Sequence, residues 1–89
     1  MRAYSHREPG VIGAVLTDER VACEMICDGI HLHVGAMYLA VKMKGKDGII
    51  LISDAMMATG LKDGKYELGG QDVYVKEGAA RLEDGTLAG

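Results

Sequence analysis

The chain has no phenylalanine, no tryptophan, only two cysteines and no excess of basic residues. Without Phe or Trp, a core must be assembled from Val, Ile, Leu, Met and Ala, the bulk of a composition that is 48% hydrophobic. Ten Lys and Arg stand against thirteen Asp and Glu, a net charge of −3 with no basic patch, which argues against a nucleic-acid partner. No apolar stretch reaches the roughly 20 residues that span a bilayer. The start Met1-Arg2-Ala3-Tyr4-Ser5 has no apolar signal core. The expectation is a soluble, cytoplasmic chain with no membrane partner. Cys23 and Cys27, four apart in one apolar run, would lie about 13 Å apart on a strand, too far for a disulfide. Theirs is not the two-residue spacing of a redox pair or zinc knuckle, so they read as buried, inert thiols.

Two apolar runs end at carboxylates. Val21–Cys27 stops at Asp28-Gly29-Ile30-His31, and Ile49–Ile52 stops at Ser53-Asp54-Ala55. Short runs of this kind read as strands buried on both faces of a parallel sheet. Acids just beyond them fall at its carboxyl edge, where α/β folds build their sites. Asp54 is the first residue to suspect of chemistry and His31 the second. Glu8-Pro9-Gly10 before Val11, Ile12, Val15 and Leu16 predicts a short helix, ended by Thr17-Asp18-Glu19-Arg20. Val34, Met37, Tyr38 and Val41 fall at helical spacing, with Lys42 and Lys44 suited to the helix end and Gly45 to its stop. Strand, helix and strand make one right-handed βαβ unit.

From Gly60 the pattern changes to an antiparallel meander. Tyr66–Leu68, Val73–Val75, Ala80–Leu82 and Thr86–Ala88 are strand candidates, separated by turns at 69–72, 77–78 and 83–85. Residues 1–59 and 60–89 are therefore read as two unlike segments. A lone βαβ unit needs neighbours on both edges, and at 89 residues only about 60–65% of the unfolded surface can be buried. Six methionines suggest either a plastic core or apolar surface for a partner. The expectation is an incomplete unit, covered by assembly into a homodimer or larger homo-oligomer.

Four motifs in order, His6-Arg7-Glu8-Pro9-Gly10, Asp28-Gly29-Ile30-His31, Ser53-Asp54-Ala55-Met56 and Asp84-Gly85-Thr86-Leu87-Ala88-Gly89, resemble the N-acetylglucosamine-6-phosphate deacetylases of the amidohydrolase superfamily. The resemblance covers the whole chain and implies a C-terminal portion of a longer enzyme. It implies an α/β origin, α+β once excised. Residues 1–59 would be the end of a (β/α)8 barrel and 60–89 part of a small β-sandwich. By the same resemblance, Asp54 is the catalytic aspartate of amide hydrolysis. Asp28, Gly29, Ile30 and His31 hold N-acetylglucosamine 6-phosphate, and Arg7 binds its phosphate across a subunit interface, where a forked guanidinium suits a dianion. Leu87, Ala88 and Gly89 close over the sugar.

The resemblance also implies a divalent metal, zinc or iron, whose glutamate and histidine ligands precede the position matching Met1. No metal is expected to be bound natively by this chain, and isolated activity is not expected. Ser53 replaces the usual Thr, and Val34 a usual Pro. Plainer readings stand beside these. Asp54 could be an N-cap or turn aspartate, His31 and His33 a His-x-His metal pair, and Arg7-Glu8 a surface charge pair. His6 reads as a solvated loop histidine, and Lys42, Lys44 and Lys46 as a solvated helix end. An alternative to a piece of a deacetylase is a self-associating module without catalytic activity.

Overall fold

The parallel pairing expected from the two apolar runs is present. The computed structural model describes all 89 residues, and in it β1 (Cys23–Met25) pairs in parallel with β2 (Ile49–Leu51), Cys23 opposite Ile49 and Met25 opposite Leu51. The architecture is α+β. Helices α1 (Gly10–Thr17) and α2 (Val34–Lys44) accompany this two-stranded sheet. Strands β3 (Gly64–Leu68), β4 (Gln71–Lys76) and β5 (Ala79–Leu82) form a separate antiparallel sheet in that order. The chain divides into two compact units, Met1–Ile52 and Ser53–Gly89.

In the first unit, Pro9 precedes α1, and its carbonyl accepts the Gly13 amide at 3.2 Å. A side chain at 13 would put its Cβ 2.1 Å from that of Pro9, so this turn closes only on glycine. The chain leaves α1 at Asp18, whose two carboxylate oxygens take a forked pair of hydrogen bonds from Arg20 at 3.0 and 2.7 Å. Helix α2 starts at His33, whose ring Nδ1 accepts the Gly35 amide at 3.1 Å, and stops at Gly45. The crossover from β1 through α2 to β2 is the expected βαβ unit. It is thinner than expected. Both strands are three residues long, although Ile52 N–H still reaches the Met25 carbonyl at 2.9 Å.

Several expectations are corrected here. The strands are not buried on both faces: Met25 is buried, but Ile50 is exposed and Leu51 is 74% exposed. The predicted apolar stripe of α2 does not face a core. Val34 and Tyr38 are 69% and 64% exposed and Val41 is also exposed, whereas Ala40 is buried. The cause is the thinness of the unit. Two short strands can cover one strip of helix, and the small residue at 40 lets α2 approach them. Ile12, Val15, Leu16, Cys23, Met25 and Ala40 line a groove of about 430 Å³. Cys27 is exposed and Cys23 partly so, which corrects the reading of both as buried thiols; both are free.

Lys44 departs from its reading as part of a solvated helix end. Its ammonium donates to the carbonyls of Val15 at 2.9 Å and Asp18 at 2.7 Å. Those carbonyls lie in the last turn of α1 and just beyond it, where backbone acceptors lack helical partners and the helix dipole is negative. Lys44 thus ties the end of α2 to the end of α1. Lys42 and Lys46 are exposed as expected, with Lys42 lying 5.3 Å from the centre of the Tyr38 ring.

The second unit follows the predicted meander more closely. Leu68 pairs with Gln71 around Gly69-Gly70, and Lys76 with Ala79 around Glu77-Gly78. Both loops have two residues with positive φ, at 57° and 82° and at 52° and 78°, the tight turn whose twist matches that of the strands. Glu77 is costly there for a side-chain-bearing residue, and Asp63 holds it by accepting its amide at 3.2 Å. Val73 is fully buried at the centre of the sheet. The fourth candidate strand, Thr86–Ala88, is corrected: only an isolated bridge joins Arg81 to Leu87. The Glu83-Asp84-Gly85 turn, with Asp84 accepting the Thr86 amide at 2.9 Å, leaves too few residues for a ladder.

Lys44→Met keeps most of the side chain's volume but removes the donor to the Val15 carbonyl and leaves the Asp18 carbonyl with only the Val21 amide at 3.2 Å. It is expected to destabilise the chain by about 1–3 kcal/mol, measured by chemical denaturation. A change below a few tenths would show that the tie between the helices contributes nothing.

Candidate functional site

Asp28, Gly29, Ile30 and His31 form a polar turn after β1. Asp28 Oδ1 accepts two backbone amides, those of Ile30 and His31, each at 2.8 Å. Gly29 turns the chain with a φ of 79°, a conformation that favours glycine. The other carboxylate oxygen, Oδ2, lies 2.6 Å from Nδ1 of His31. A hydrogen bond from the imidazole, reinforced by the two amides, pushes the Asp28 carboxyl down to about 2 from an ordinary 3.8. Asp28 is therefore ionised across the ordinary pH range, a fixed acceptor against which the imidazole is held.

Arg7 lies on the turn before α1, where its amide donates to Ser5 Oγ at 3.4 Å and Glu8 N–H to the Ser5 carbonyl at 3.0 Å. The Arg7-Glu8 charge pair is not formed. Glu8 instead meets Arg2 at 3.3 Å, and Arg7 is exposed. Arg7 has no hydrogen bond to the 28–31 turn. His6 is exposed, as a solvated loop histidine would be.

The second unit holds the other expected residues. Asp54 is one of two side-chain-bearing residues with positive φ, at 52°. No helix follows it, which corrects the N-cap reading. Ser53 Oγ accepts the Ala55 amide at 3.3 Å, and the turn beyond is closed by Met56 N–H on Thr59 Oγ1 at 3.0 Å. A left-handed residue costs roughly 1–3 kcal/mol and persists where its surroundings require it, often at functional positions. Gly89 comes against the same backbone. A Cβ on Gly89 would lie 3.0 Å from the Asp54 carbonyl oxygen, and its φ of 138° excludes most side chains. Ala88 N–H is strapped to the Ala80 carbonyl at 2.9 Å, and Leu87 bridges Arg81. The structure thus brings together Asp54 and Gly89, two residues expected in one site from opposite ends of this unit. Beside them, Met56, Thr59, Asp63, Val75, Ala80 and Gly89 line a cleft of about 360 Å³.

Both rings of the His-x-His pair are engaged through Nδ1. His31 spends Nδ1 on Asp28, and His33 spends Nδ1 on capping α2. No group of three His, Cys, Asp or Glu side chains gathers around a point that a metal could occupy. The capping role of His33 and the anchoring role of Lys44 were not found in the sequence. A histidine directly before a helical pattern was the one available signal for the first; nothing local marks the second.

No protein-family model matches the chain. All 89 residues align at 53% identity with the N-acetylglucosamine-6-phosphate deacetylase of Lysinibacillus sphaericus, covering 23% of that protein. They align at 47% identity with the N-acetylgalactosamine-6-phosphate deacetylase of Escherichia coli O157:H7, again over 23% of its length. The fold is similar, with a TM-score of 0.93 and 41% identity, to a variant of the Mycobacterium smegmatis N-acetyl-D-glucosamine-6-phosphate deacetylase solved in complex with N-acetyl-D-glucosamine-6-phosphate. That match covers 100% of this chain and 24% of the other. The chain thus spans less than a quarter of the length of these proteins.

The depressed Asp28 carboxyl makes a signed prediction. A carboxylate whose folded pKa lies below its unfolded value contributes stability in full above about 3.8, and loses it as pH falls towards about 2. Carbon-detected NMR titration is expected to find the Asp28 midpoint near 2, and His31→Ala to move it up towards 3.8. A midpoint unmoved by His31→Ala would disconnect the two side chains.

Proposed function

We propose a function from the premise that this chain belongs, as a C-terminal portion, to the N-acetylglucosamine-6-phosphate deacetylase family. It carries part of an active site that removes acetyl from an N-acetylhexosamine 6-phosphate, with N-acetylglucosamine 6-phosphate as substrate. The observation that carries the reading is Asp54. It stands in a left-handed backbone conformation, with Gly89 packed on its carbonyl oxygen. Such a conformation fixes where a carboxylate can reach, which a proton-transfer group needs.

In this reading, Asp54 takes a proton from the water that attacks the acetyl carbonyl. It then gives that proton to the amine nitrogen as the carbon–nitrogen bond breaks, releasing acetate and the amino sugar. Arg7 receives the phosphate through its forked guanidinium. Asp28, Gly29, Ile30 and His31 hold the sugar, and Leu87, Ala88 and Gly89 close over it. Residues 1–59 belong to the end of a (β/α)8 barrel and 60–89 to a small β-sandwich. A divalent metal, zinc or iron, supplies water activation in such enzymes. No three His, Cys, Asp or Glu side chains of this chain gather around one point, so it does not by itself supply a ligand set for one. In this reading the 89 residues alone are not expected to turn over substrate.

A second reading is favoured by one observation. Val34, Tyr38, Leu39, Val41 and Met43 on α2 and Ile50 and Leu51 on β2 are all exposed. Apolar surface gathered in this way marks an interface. In this reading the isolated chain self-associates as a homodimer or larger homo-oligomer, as a binding module without catalysis.

Placing the 89 residues into the Lysinibacillus sphaericus deacetylase, in exchange for the segment they match, is expected to yield an active enzyme. In it, Asp54→Asn is expected to lower kcat about 10²–10⁴-fold. A loss below tenfold removes Asp54 from its role. Conversely, turnover by the 89 residues alone with added zinc or iron, abolished by Asp54→Asn, would overturn their inactivity. Light scattering of the isolated chain is expected to give at least a dimer, and a compact monomer at micromolar concentration would sink self-association.

A further inference from the structure

The peptide groups that follow Asp54 are each held by a partner. In the one joining Asp54 to Ala55, the N–H donates to Ser53 Oγ at 3.3 Å, and a Cβ on Gly89 would stand 3.0 Å from the carbonyl oxygen. In the next, joining Ala55 to Met56, the N–H donates to Thr59 Oγ1 at 3.0 Å. Thr59 answers with its backbone, its amide donating to the Met56 carbonyl at 2.9 Å. Side chain and main chain of one residue thus close the 56–59 turn in both directions. Within that turn Ala58 is only 4% exposed, and its carbonyl accepts the Leu61 amide at 3.0 Å, so the turn is anchored in its own unit.

The left-handed φ of 52° at Asp54 costs at least as much as one ordinary hydrogen bond contributes, so it persists where several constraints coincide. The backbone also sets the direction in which the Cα–Cβ bond leaves the chain. Whatever holds these peptide groups therefore aims the carboxylate. We infer that Thr59 is a positioning residue, whose hydroxyl, by accepting the Met56 amide, keeps Asp54 in the conformation that aims its carboxylate. Its part in catalysis rests on the reading of Asp54 as the proton-transfer group, whereas the backbone hold does not. The requirement at 59 is a hydroxyl acceptor, which serine also supplies and valine, of similar shape, does not.

The hold is read by NMR of the 89-residue chain. An intraresidue amide–Hα Overhauser effect is strong at positive φ, and Glu77, also at 52°, serves as internal standard in the other hairpin. Both residues are expected to show it in the wild-type chain and in Thr59→Ser. In Thr59→Val it is expected to weaken at Asp54 and stay unchanged at Glu77. A weak effect at Asp54 in the wild type, or an unchanged one in Thr59→Val, overturns the inference. Loss at Glu77 as well would overturn it too, since the hydroxyl would then support the whole unit and not Asp54 in particular.

The chimeric enzyme described above tests the catalytic consequence. There Thr59→Val is expected to lower kcat about tenfold with KM moved less than about twofold, and Thr59→Ser to keep kcat within about twofold of the unmodified chimera. Added to Asp54→Asn, Thr59→Val is expected to cost less than about twofold, because the carboxylate through which it acts is gone. An undiminished loss on that background, a serine variant as slow as the valine one, or kcat unmoved in Thr59→Val overturns the positioning role. A loss below about tenfold for Asp54→Asn alone would instead overturn the proposed function, and the NMR comparison would still decide the backbone hold.

Discussion

The parallel pairing of Cys23–Met25 with Ile49–Leu51 is the constraint from which the first unit follows. Parallel neighbours cannot be joined by a tight turn, so the chain must return to the starting end of the sheet, and it does so through α2. That return places the carboxyl ends of both strands on one edge. The Asp28–His31 turn begins three residues beyond Met25. It also places α2 so that Lys44, at its last position, reaches the carbonyls of Val15 and Asp18 at the end of α1. Sheet, helix crossing and polar turn are thus consequences of one pairing that involves only three residues on each side.

That pairing is weakly covered. Met25 and Ala40 are the buried apolar side chains of this unit, while the larger residues of α2 and β2 lie open to water. Area burial at about 25 cal/mol per Å² is the main favourable term in folding, and a unit that leaves its Val, Tyr, Leu and Met exposed uses little of it. Polar ties carry more of the definition here than is usual: Lys44 to α1, Asp18 to Arg20, His33 to α2, Asp28 to its own turn. They specify geometry well and stabilise modestly.

The elements legible in the sequence were those written in local signals. Gly45 as a helix stop, Gly69-Gly70 and Glu77-Gly78 as hairpin turns, and the two Val/Ile/Leu runs as paired strands all depend on residues near one another. What was not legible depended on partners distant in sequence or on how much chain was there to cover a face. Lys44 looked solvated because its acceptors are 26 and 29 residues away. Val34, Tyr38 and Val41 had helical spacing, which tells that a helix has an apolar stripe but not that anything lies against it. Thr86–Ala88 had strand composition, but the preceding turn left room for only a bridge. The site divided along the same line. The 28–31 motif and Asp54 were visible as acids after strands, while the approach of Gly89 to Asp54 joins residues 35 positions apart and was visible only in three dimensions.

The two tight loops of the second unit have a kinetic consequence. Every pairing in the β3–β4–β5 sheet joins residues at most 11 positions apart, Gly64 to Val75 being the widest. Hairpins of this kind close in about 1–10 μs, one zipping against the next. The β1–β2 pairing must instead join residues 26 apart, Cys23 to Ile49, and wait for α2 to form between them. Folding speed falls as sequence separation grows. By this measure the meander is expected to form first, with the parallel pair as the slow step.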